Sequence, residues 1–363
     1  MPLKATIVTY PDEFSKREVQ ELARAAGYSV EAVMTQKQII KSGYGVGVGK
    51  AAELFELVSD NGSDTLIIDE TLSSSQANNL AKVTHVEVID RERLILNIFA
   101  LRAATTEAKL QVQLAELRYE MPRARDVVRF SVKGERAGFS GMGETAVDIK
   151  FRALRNRMVT IRAKLASARS NRVTQRKERL RMGDPLVSFA GYTSSGKTTL
   201  FNRLASETKE ESPKLFTTLT TTTRAITRPG SKGKVMLSDT VGFISRLPTY
   251  LVESFKSTLE ELTYADLVLL VVDASEDPES VAIKLGSCKD ILGQLEVDPN
   301  KVLLVLNKVD LAQGRVSAIP ADGLYEGFST VATSATRGDG MRQLRNRIFE
   351  LTREKARALK TAS

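Results

Sequence analysis

The amino-acid sequence predicts an α/β protein built in three parts, and three observations support this prediction. At 363 residues the chain is longer than one ordinary domain. Short apolar segments alternate with helical patterns near both ends, which is typical of mainly parallel sheets covered by helices. Between these regions, apolar residues recur at steps of three and four, which indicates long helices.

The composition excludes several classes of chemistry. A single cysteine, Cys288, cannot form an intramolecular disulfide, and one histidine, His85, argues against a zinc site or a His-based triad. The N-terminus has no signal-peptide pattern and no stretch approaches 18 apolar residues, so we expect a cytoplasmic location and no membrane contact. Any chemistry therefore has to use lysine, threonine, aspartate and backbone amides.

Residues 1–92 predict a small N-terminal parallel α/β subdomain. Strand-like segments alternate here with helical ones, among them ATIVTY, EVQELARAAG, TLIIDE and VEVID. The turn YGVGVGK at 44–50 leaves three interpretations: a structural turn, a contact to an RNA backbone or a second nucleotide site. No Ser or Thr follows Lys50 to hold Mg²⁺, so this turn is not a standard phosphate-binding loop.

Residues 93–182 predict an antiparallel helical hairpin with a Gly-rich loop between its helices. The apolar stripe from Arg91 to Tyr119 predicts one long helix, which we expect Pro122 to end. The first stripe contains Leu94, Ile98, Leu101, Thr105, Ala108, Val112, Ala115 and Tyr119. The second contains Phe151, Leu154, Met158, Ile161, Leu165 and Ala168.

The net charge of +9 is concentrated in the second helix of this hairpin. Residues 146–182 carry twelve Lys or Arg against Asp148 and Glu178. A solvated helix surface usually carries both positive and negative side chains. A surface that is almost purely cationic and rich in arginine suits phosphate backbones. RNA or an RNA-containing particle is the favoured partner, with a solvated face or an anionic membrane surface as alternatives. The predicted contacts are Arg155, Arg162, Arg169, Arg172 and Arg176.

Residues 184–354 predict a nucleotide-binding domain, followed by a tail at 355–363. The apolar segment LVSFA runs into GYTSSGKTTL, which contains G-x-x-x-x-G-K-[ST] as Gly191 to Thr198. Backbone amides of such a loop and of the helix after it form a cradle for phosphates. Lys197 supplies positive charge to the terminal phosphates, and the Thr198 hydroxyl is placed to hold Mg²⁺. The fold class is therefore a P-loop domain with a mainly parallel sheet and flanking helices.

Three later segments predict guanine as the base. DTVGF supplies Asp239 for the Mg²⁺ shell and the Gly242 amide for the γ-phosphate. NKVD ends with Asp310, whose carboxylate can accept hydrogen bonds from guanine N1 and N2, which adenine does not offer. The segment SAT at 334–336 supplies an amide for the guanine carbonyl. All of these motifs follow predicted strands, where ligands bind in open α/β sheets.

The segment LFTTLTTTTR at 215–224 predicts a switch whose threonine closes over Mg²⁺ and the γ-phosphate, although a Thr-rich edge strand is the alternative. We assign Thr218, with Thr217 as the second choice, partly on the resemblance described below. Phe243 stands where many GTPases place a glutamine that orients water, so intrinsic hydrolysis is expected to be slow. Mutation of Phe243 is expected to leave GTP affinity nearly unchanged.

These motifs define the complete set of predicted site residues. The predicted catalytic residues are Lys197, Thr218, Gly242 and Phe243, and the predicted Mg²⁺ ligands are Thr198, Thr218 and Asp239. The predicted nucleotide-binding residues are Gly191, Tyr192, Thr193, Ser194, Ser195, Gly196, Lys197, Thr198, Thr199, Phe216, Thr217, Thr218, Leu219, Thr220, Asp239, Thr240, Val241, Gly242, Asn307, Lys308, Val309, Asp310, Ser334, Ala335 and Thr336.

The order of GYTSSGKTT, LFTTLTTTTR, DTVGF, NKVD and SAT resembles that of the HflX-type GTPases, and the likeness extends over about residues 40–340. The resemblance implies a cytoplasmic, monomeric, Mg²⁺-dependent GTPase that binds the large ribosomal subunit and acts in subunit splitting or rescue. It also implies that Thr218 is the Mg²⁺-binding threonine of the switch. The alternative functions are an RNA-binding nucleotide sensor and an RNA-remodelling enzyme with little intrinsic hydrolysis.

Overall fold

The computed structural model describes residues 2–39, 43–134, 140–205, 215–216, 218–219, 221–227, 233–312 and 329–361. The chain forms two compact units, residues 1–166 and 167–363. The boundary between them falls within a long helix, upstream of the sequence-based boundary at 182–184. In the part of the chain that the structure describes, no helix is both long and apolar enough to span a membrane.

The first unit contains a parallel four-stranded sheet with strand order β2-β1-β3-β4. This sheet confirms the predicted parallel α/β arrangement near the N-terminus. Asp12 caps its first helix, and Ser73 with Gln76 forms a capping box on the third. The elements are β1 (Leu3–Thr9), α1 (Glu13–Ala25), β2 (Tyr28–Thr35), α2 (Val48–Asn61), β3 (Thr65–Ile68), α3 (Ser74–Thr84) and β4 (Glu87–Asp90).

Three helices follow: α4 (Arg91–Arg102), α5 (Thr106–Gly134) and α6 (Ser140–Met182). The prediction of one helix from Arg91 to Tyr119 is wrong, because the chain leaves the helical conformation at Ala103 (φ −71°, ψ 91°). The Thr105 hydroxyl then accepts a hydrogen bond from the Ala108 amide at 3.2 Å, as an N-cap does. Leu101, which was expected in the buried stripe, is 61% exposed beside this break.

Pro122 lies inside α5 and does not end it, contrary to the prediction. The Arg123 guanidinium contacts the carbonyl of Tyr119 at 3.3 Å and that of Leu72 at 2.8 Å, and it pairs with Asp90. These contacts tie the helix to the sheet on the carboxyl side of the proline. Tertiary anchoring therefore offsets the local cost of a proline in a helix interior.

Helix α5 is buried on two sides. Ala108, Val112 and Ala115 are buried on one stripe, and α5 contacts α3 and α4. A second stripe shares a hydrophobic cluster with α6, formed by Leu114 and Leu117 of α5 with Met158 and Ile161 of α6. Two buried stripes explain why one apolar period predicted only part of the packing.

The second unit contains a sheet with strand order β10-β9-β8-β5-β7-β6, parallel except for the β6–β7 pair. This mainly parallel sheet with flanking helices confirms the predicted fold class, and the motifs follow the carboxyl ends of β5, β7, β9 and β10. The elements are β5 (Leu186–Gly191), α7 (Lys197–Ala205), β6 (Thr222–Thr227), β7 (Lys234–Asp239), α8 (Thr249–Ser254), α9 (Lys256–Thr263), β8 (Leu267–Asp273), α10 (Pro278–Gln294), β9 (Val302–Asn307), β10 (Ser329–Ala332) and α11 (Met341–Thr361).

The C-terminal end of α6 belongs to this second unit and packs against it. The Arg176 guanidinium lies 3.4 Å from the centre of the Tyr264 ring, as in a cation–π contact. Arg179 lies 3.8 Å from the Glu261 carboxylate. Arg176, one of the predicted RNA contacts, therefore lies against the second unit and not on a free face of α6.

Candidate nucleotide site

The loop between β5 and α7 adopts a conformation that requires glycine at both ends. Gly191 has φ +143°, and an added Cβ would lie 2.3 Å from the Val271 carbonyl oxygen. Gly196 has φ +91°, and an added Cβ would lie 2.2 Å from Asn307 Nδ2. Neither position has room for a side chain, because the loop lies close to the neighbouring strand ends. The backbone amides of the loop continue directly into the start of α7.

Lys197 at the start of α7 is buried, and its Nζ donates a hydrogen bond to the Tyr192 carbonyl at 2.6 Å. Burial lowers the pKa of Lys197 to about 8, and the nearby Asp239 carboxylate opposes this shift. Among the described residues this buried ammonium has one hydrogen-bond acceptor, a carbonyl, so it favours an anionic ligand, because phosphate oxygens would stabilise its charged form. Lys197 is therefore suited to the terminal phosphates of a nucleotide.

Two threonine hydroxyls and one carboxylate meet beside Lys197. Thr198 and Thr218 donate to the same Asp239 oxygen, Oδ2, at 2.9 and 2.7 Å, and their hydroxyls lie 3.2 Å apart. The other oxygen, Oδ1, is buried without a hydrogen-bond partner, and burial raises the pKa of Asp239. An all-oxygen set with a buried acceptor left over fits Mg²⁺, which prefers carboxylate, hydroxyl, water and phosphate oxygens.

The segment after β7 lies directly against the phosphate loop. A Cβ added to Gly242 would lie 2.9 Å from Thr193 Cγ2 and 3.1 Å from Lys197 Nζ, so only glycine allows this approach. Thr240 is turned inward, and its hydroxyl donates to the Phe189 carbonyl at 2.6 Å. Gly242 is thus the residue of this segment that borders the space in front of Lys197.

Phe243 is in the core, and the structure does not support its predicted catalytic role. Its side chain is 1% exposed. Its amide donates to the Gly191 carbonyl at 3.0 Å, and its carbonyl accepts from the Thr193 amide at 2.7 Å. Since the side chain is buried and both backbone groups are engaged, Phe243 holds the segment in place. The sequence showed its position in the motif but not its burial.

Asn307 at the end of β9 joins the phosphate loop to the loop after β10. Its Nδ2 donates to the Ser195 carbonyl at 3.0 Å, and its Oδ1 accepts from the Ala335 amide at 3.2 Å and the Thr333 hydroxyl at 3.3 Å. Of the three residues predicted to supply an amide for the guanine carbonyl, Ala335 has its amide engaged by Asn307. The Val309 amide also donates to the Thr333 carbonyl, at 3.2 Å.

Asp310 lies next to the 334–337 loop and presents an acceptor for a base. A hydrogen bond from Ser334 lowers the pKa of its carboxyl group, so the group is ionised near neutral pH. Its Oδ1 is buried without a hydrogen-bond partner, while Oδ2 lies 3.9 Å from Arg337 Nε. A free acceptor on an ionised carboxylate matches the N1 and N2 donors of guanine.

Comparison with known proteins agrees with this geometry. Three sequence-family models match consecutive regions: GTP-binding GTPase N-terminal at 13–100, GTP-binding GTPase Middle Region at 102–179, and 50S ribosome-binding GTPase at 186–308. GTPase HflX of Thermococcus kodakarensis is 43% identical over 302 residues, which cover 83% of this chain and 68% of that protein. The chain belongs to the HflX family of GTPases. As a member of this family it is a GTP hydrolase.

Other HflX relatives match over still more of their length. GTPase HflX of Hyperthermus butylicus is 35% identical over 362 residues, covering 96% of each chain, and that of Escherichia coli is 37% identical over 336 residues, covering 92% of this chain and 78% of that protein. The crystal structure of SsGBP with GDP is 28% identical, with a TM-score of 0.53, over 98% of this chain and 100% of that one. These matches confirm the sequence-based family assignment.

Asp273, which lies beside this candidate nucleotide site, was not predicted from the sequence. Asp273 ends β8 and pairs with Lys308 Nζ at 2.5 Å, which places the lysine of the NKVD motif beside the neighbouring strand end. Lys308 itself has φ +63°, a left-handed conformation that is uncommon for a residue with a side chain. The signal was available, because Asp273 follows the apolar run LVLLVV at the carboxyl end of a central strand.

The structure describes only part of the predicted switch of this HflX-family chain. Phe216 and Leu219 are buried on either side of Thr218, and Phe216 has φ +55°. Thr217 and Thr220 lie outside the described residues. The side chains of Arg169 and Arg172 in α6 are also outside the part that the structure describes.

Proposed function

We propose that this GTPase is a monomeric switch on the large ribosomal subunit, where it acts in subunit splitting or rescue and contacts rRNA through α6. The observation that carries this proposal is the charge of α6 in the first unit. Residues 149–166 contain no acidic residue. Six cations on this stretch are exposed: Lys150, Arg152, Arg155, Arg157, Arg162 and Lys164.

The chemistry of this surface favours RNA. The other side of the same stretch, with Met158 and Ile161, is buried against α5, so the cations face away from a packed seam. Arginine binds phosphate oxygens in a bidentate manner, and each contact releases counterions from the nucleic acid. The description of the family model that matches residues 186–308, 50S ribosome-binding GTPase, supports the large subunit as the RNA particle.

The nucleotide half of the proposal assigns roles to the residues described above. Lys197 and the loop amides bind the phosphates, Gly242 donates its amide to the γ-phosphate, and Asp310 accepts from the guanine edge. Thr198, Thr218 and Asp239 would hold Mg²⁺, which neutralises charge on the β- and γ-phosphate oxygens when it is bound. Thr218 closes over the γ-phosphate only in the triphosphate state, which links the nucleotide to the ribosome contact.

The test is GTP hydrolysis with and without purified large subunits, followed by co-sedimentation with a GTP analogue or GDP. We expect the subunits to raise the hydrolysis rate and the GTP analogue to favour co-sedimentation. The triple variant Arg155→Ala, Arg162→Ala, Lys164→Ala should bind the large subunit less tightly. The slope of log affinity against log salt concentration should become shallower by about two to three. The expectation fails if subunits leave hydrolysis unchanged.

A matched control removes the same number of exposed positive charges from other elements of the first unit. Arg17, Lys37 and Lys82 are exposed, and none lies on α5 or α6. Their triple alanine variant should keep the wild-type affinity and salt slope. Equal losses in both triple variants would show that net charge, and not the α6 surface, determines binding.

A further inference from the structure

Tyr192 occupies the second position of the phosphate loop, yet its side chain points away from the phosphate cradle. The residue is 5% exposed, and its hydroxyl accepts a hydrogen bond from the Ser245 amide at 2.7 Å. Lys284 Nζ lies 5.0 Å from the ring centre and pairs with Glu276 at 2.5 Å, so the ring is held from the α10 side as well. This side chain therefore connects the phosphate loop to the segment that follows Gly242.

The same segment is joined to the loop by its backbone. Tyr192 and Phe243 form a parallel β-bridge, in which the Phe243 amide donates to the Gly191 carbonyl and the Thr193 amide donates to the Phe243 carbonyl. The hydrogen bond from Ser245 to the Tyr192 hydroxyl adds a third attachment two residues further along. Gly242 lies immediately before these attachments, so they determine where its amide can point.

We propose that Tyr192 is a positioning residue for GTP hydrolysis. Its hydroxyl fixes the Gly242–Ser245 backbone against the phosphate loop and thereby aims the Gly242 amide at the γ-phosphate. The inference rests on the proposed nucleotide-binding roles of Lys197 and Gly242, and it goes beyond them by assigning the residue that sets their geometry.

The burial of Phe243 gives this attachment its importance. At the position where a glutamine would orient water, this chain has a side chain in the core, so intrinsic hydrolysis without a partner depends on the other groups around the γ-phosphate. When an amide that contacts the γ-phosphate is displaced by about 1 Å, the rate of hydrolysis falls by up to about a hundredfold. An attachment that holds Gly242 should therefore affect hydrolysis more than it affects GDP binding, because GDP has no γ-phosphate.

The test is Tyr192→Phe, which keeps the ring and removes only the hydroxyl. We expect single-turnover GTP hydrolysis to fall about tenfold to hundredfold and the affinity for a GTP analogue to fall, whereas GDP affinity stays within about twofold of wild type. Tyr264→Phe is the matched control, because it removes the hydroxyl of a tyrosine in the same unit that is 45% exposed. The control should hydrolyse GTP like the wild type.

Two results would overturn the inference. The first is a Tyr192→Phe variant that hydrolyses GTP at the wild-type rate. The second is an equal loss of GDP affinity, GTP-analogue affinity and melting temperature, which would show a purely structural role. In either case wild-type hydrolysis, measured without ribosomes and again with large subunits, tests the proposed function separately.

Discussion

Asn307 donates a hydrogen bond to the carbonyl oxygen of Ser195 across 3.0 Å, and this contact joins the base-recognition strand end to the phosphate loop. The same side chain accepts from the Ala335 amide, so one residue connects three loops. Asn307 is 1% exposed, which means that none of these groups has water as a substitute partner. The loops proposed to bind base and phosphate are therefore joined to each other before any nucleotide is present.

The first prediction concerns Asn307→Ala. The substitution leaves a buried carbonyl and a buried amide without partners, so we expect the free energy of unfolding of the second unit to fall by about 2 kcal/mol. The affinity for GDP and for GTP should fall together, because both the base and the phosphate loops lose their common support. Thermal unfolding and calorimetry measure the two effects. Asn300→Ala, at an exposed position, is the control and should change neither.

The second prediction concerns the base. Asp310→Asn replaces two acceptors with one acceptor and one donor, so the pairing with guanine N1 and N2 is lost. Xanthine carries a carbonyl where guanine carries its amino group, and it matches the new amide. We expect guanine nucleotide affinity to fall at least about a hundredfold and xanthine nucleotide affinity to rise, as measured by calorimetry. Asp290→Asn, which removes one exposed carboxylate elsewhere in the second unit, should bind like wild type. Unchanged guanine affinity in Asp310→Asn would contradict the role given to this carboxylate.

The third prediction concerns Cys288 in α10, which is buried behind the phosphate loop. Burial raises the pKa of its thiol to about 12. Alkylation requires the thiolate, so at pH 8 the folded protein should react at least about a thousandfold more slowly than an unfolded chain. Between pH 7 and pH 10 the rate should rise about tenfold per pH unit, because the thiolate fraction does. Mass spectrometry is unambiguous, since the chain has one cysteine. Full alkylation at pH 8 at the rate of the urea-unfolded protein would contradict this prediction.

The positions of the residues proposed to bind a nucleotide could be predicted from the sequence, because ligand chemistry restricts which side chains can follow each strand. Gly191, Lys197 and Asp310 lie where their motifs indicated, and the parallel sheets follow from the alternation of apolar segments. Asp273 also follows an apolar strand, so its local signal was equally clear. Its pairing with Lys308 depends on which strands are neighbours, and neither motif determines the strand order.

Two of the three features that sequence reasoning predicted wrongly depend on tertiary packing. Helix α4 ends at Ala103 because Thr105 caps a new helix, although the apolar period continues. Pro122 stays inside α5 because Arg123 is anchored to the sheet. Arg176 has the same charge as its neighbours, yet it stacks on Tyr264 because α6 continues into the second unit. For Pro122 and Arg176 a contact distant in sequence outweighs the local preference, whereas the Thr105 cap is itself a local signal.

The fourth prediction separates the two threonines that share Asp239. Thr198 belongs to the phosphate loop and α7, whereas Thr218 belongs to the segment expected to close over the γ-phosphate. Thr198→Ala should therefore weaken Mg²⁺-dependent binding of both GDP and GTP. Thr218→Ala should weaken only the GTP analogue and slow hydrolysis, with GDP affinity within about twofold of wild type. Each alanine also removes one hydrogen bond to Asp239, so melting temperatures without nucleotide provide a baseline for structural loss.

Removal of Mg²⁺ completes this comparison, because it takes away the ion that both hydroxyls are proposed to bind. In excess chelator, wild type and Thr218→Ala should bind the GTP analogue equally weakly, since the contribution of Thr218 acts through the ion. The ratio of their affinities should return when Mg²⁺ is added back. If Thr218→Ala remains weaker than wild type in chelator by the same factor, the hydroxyl acts through its hydrogen bond to Asp239 and not as a metal ligand.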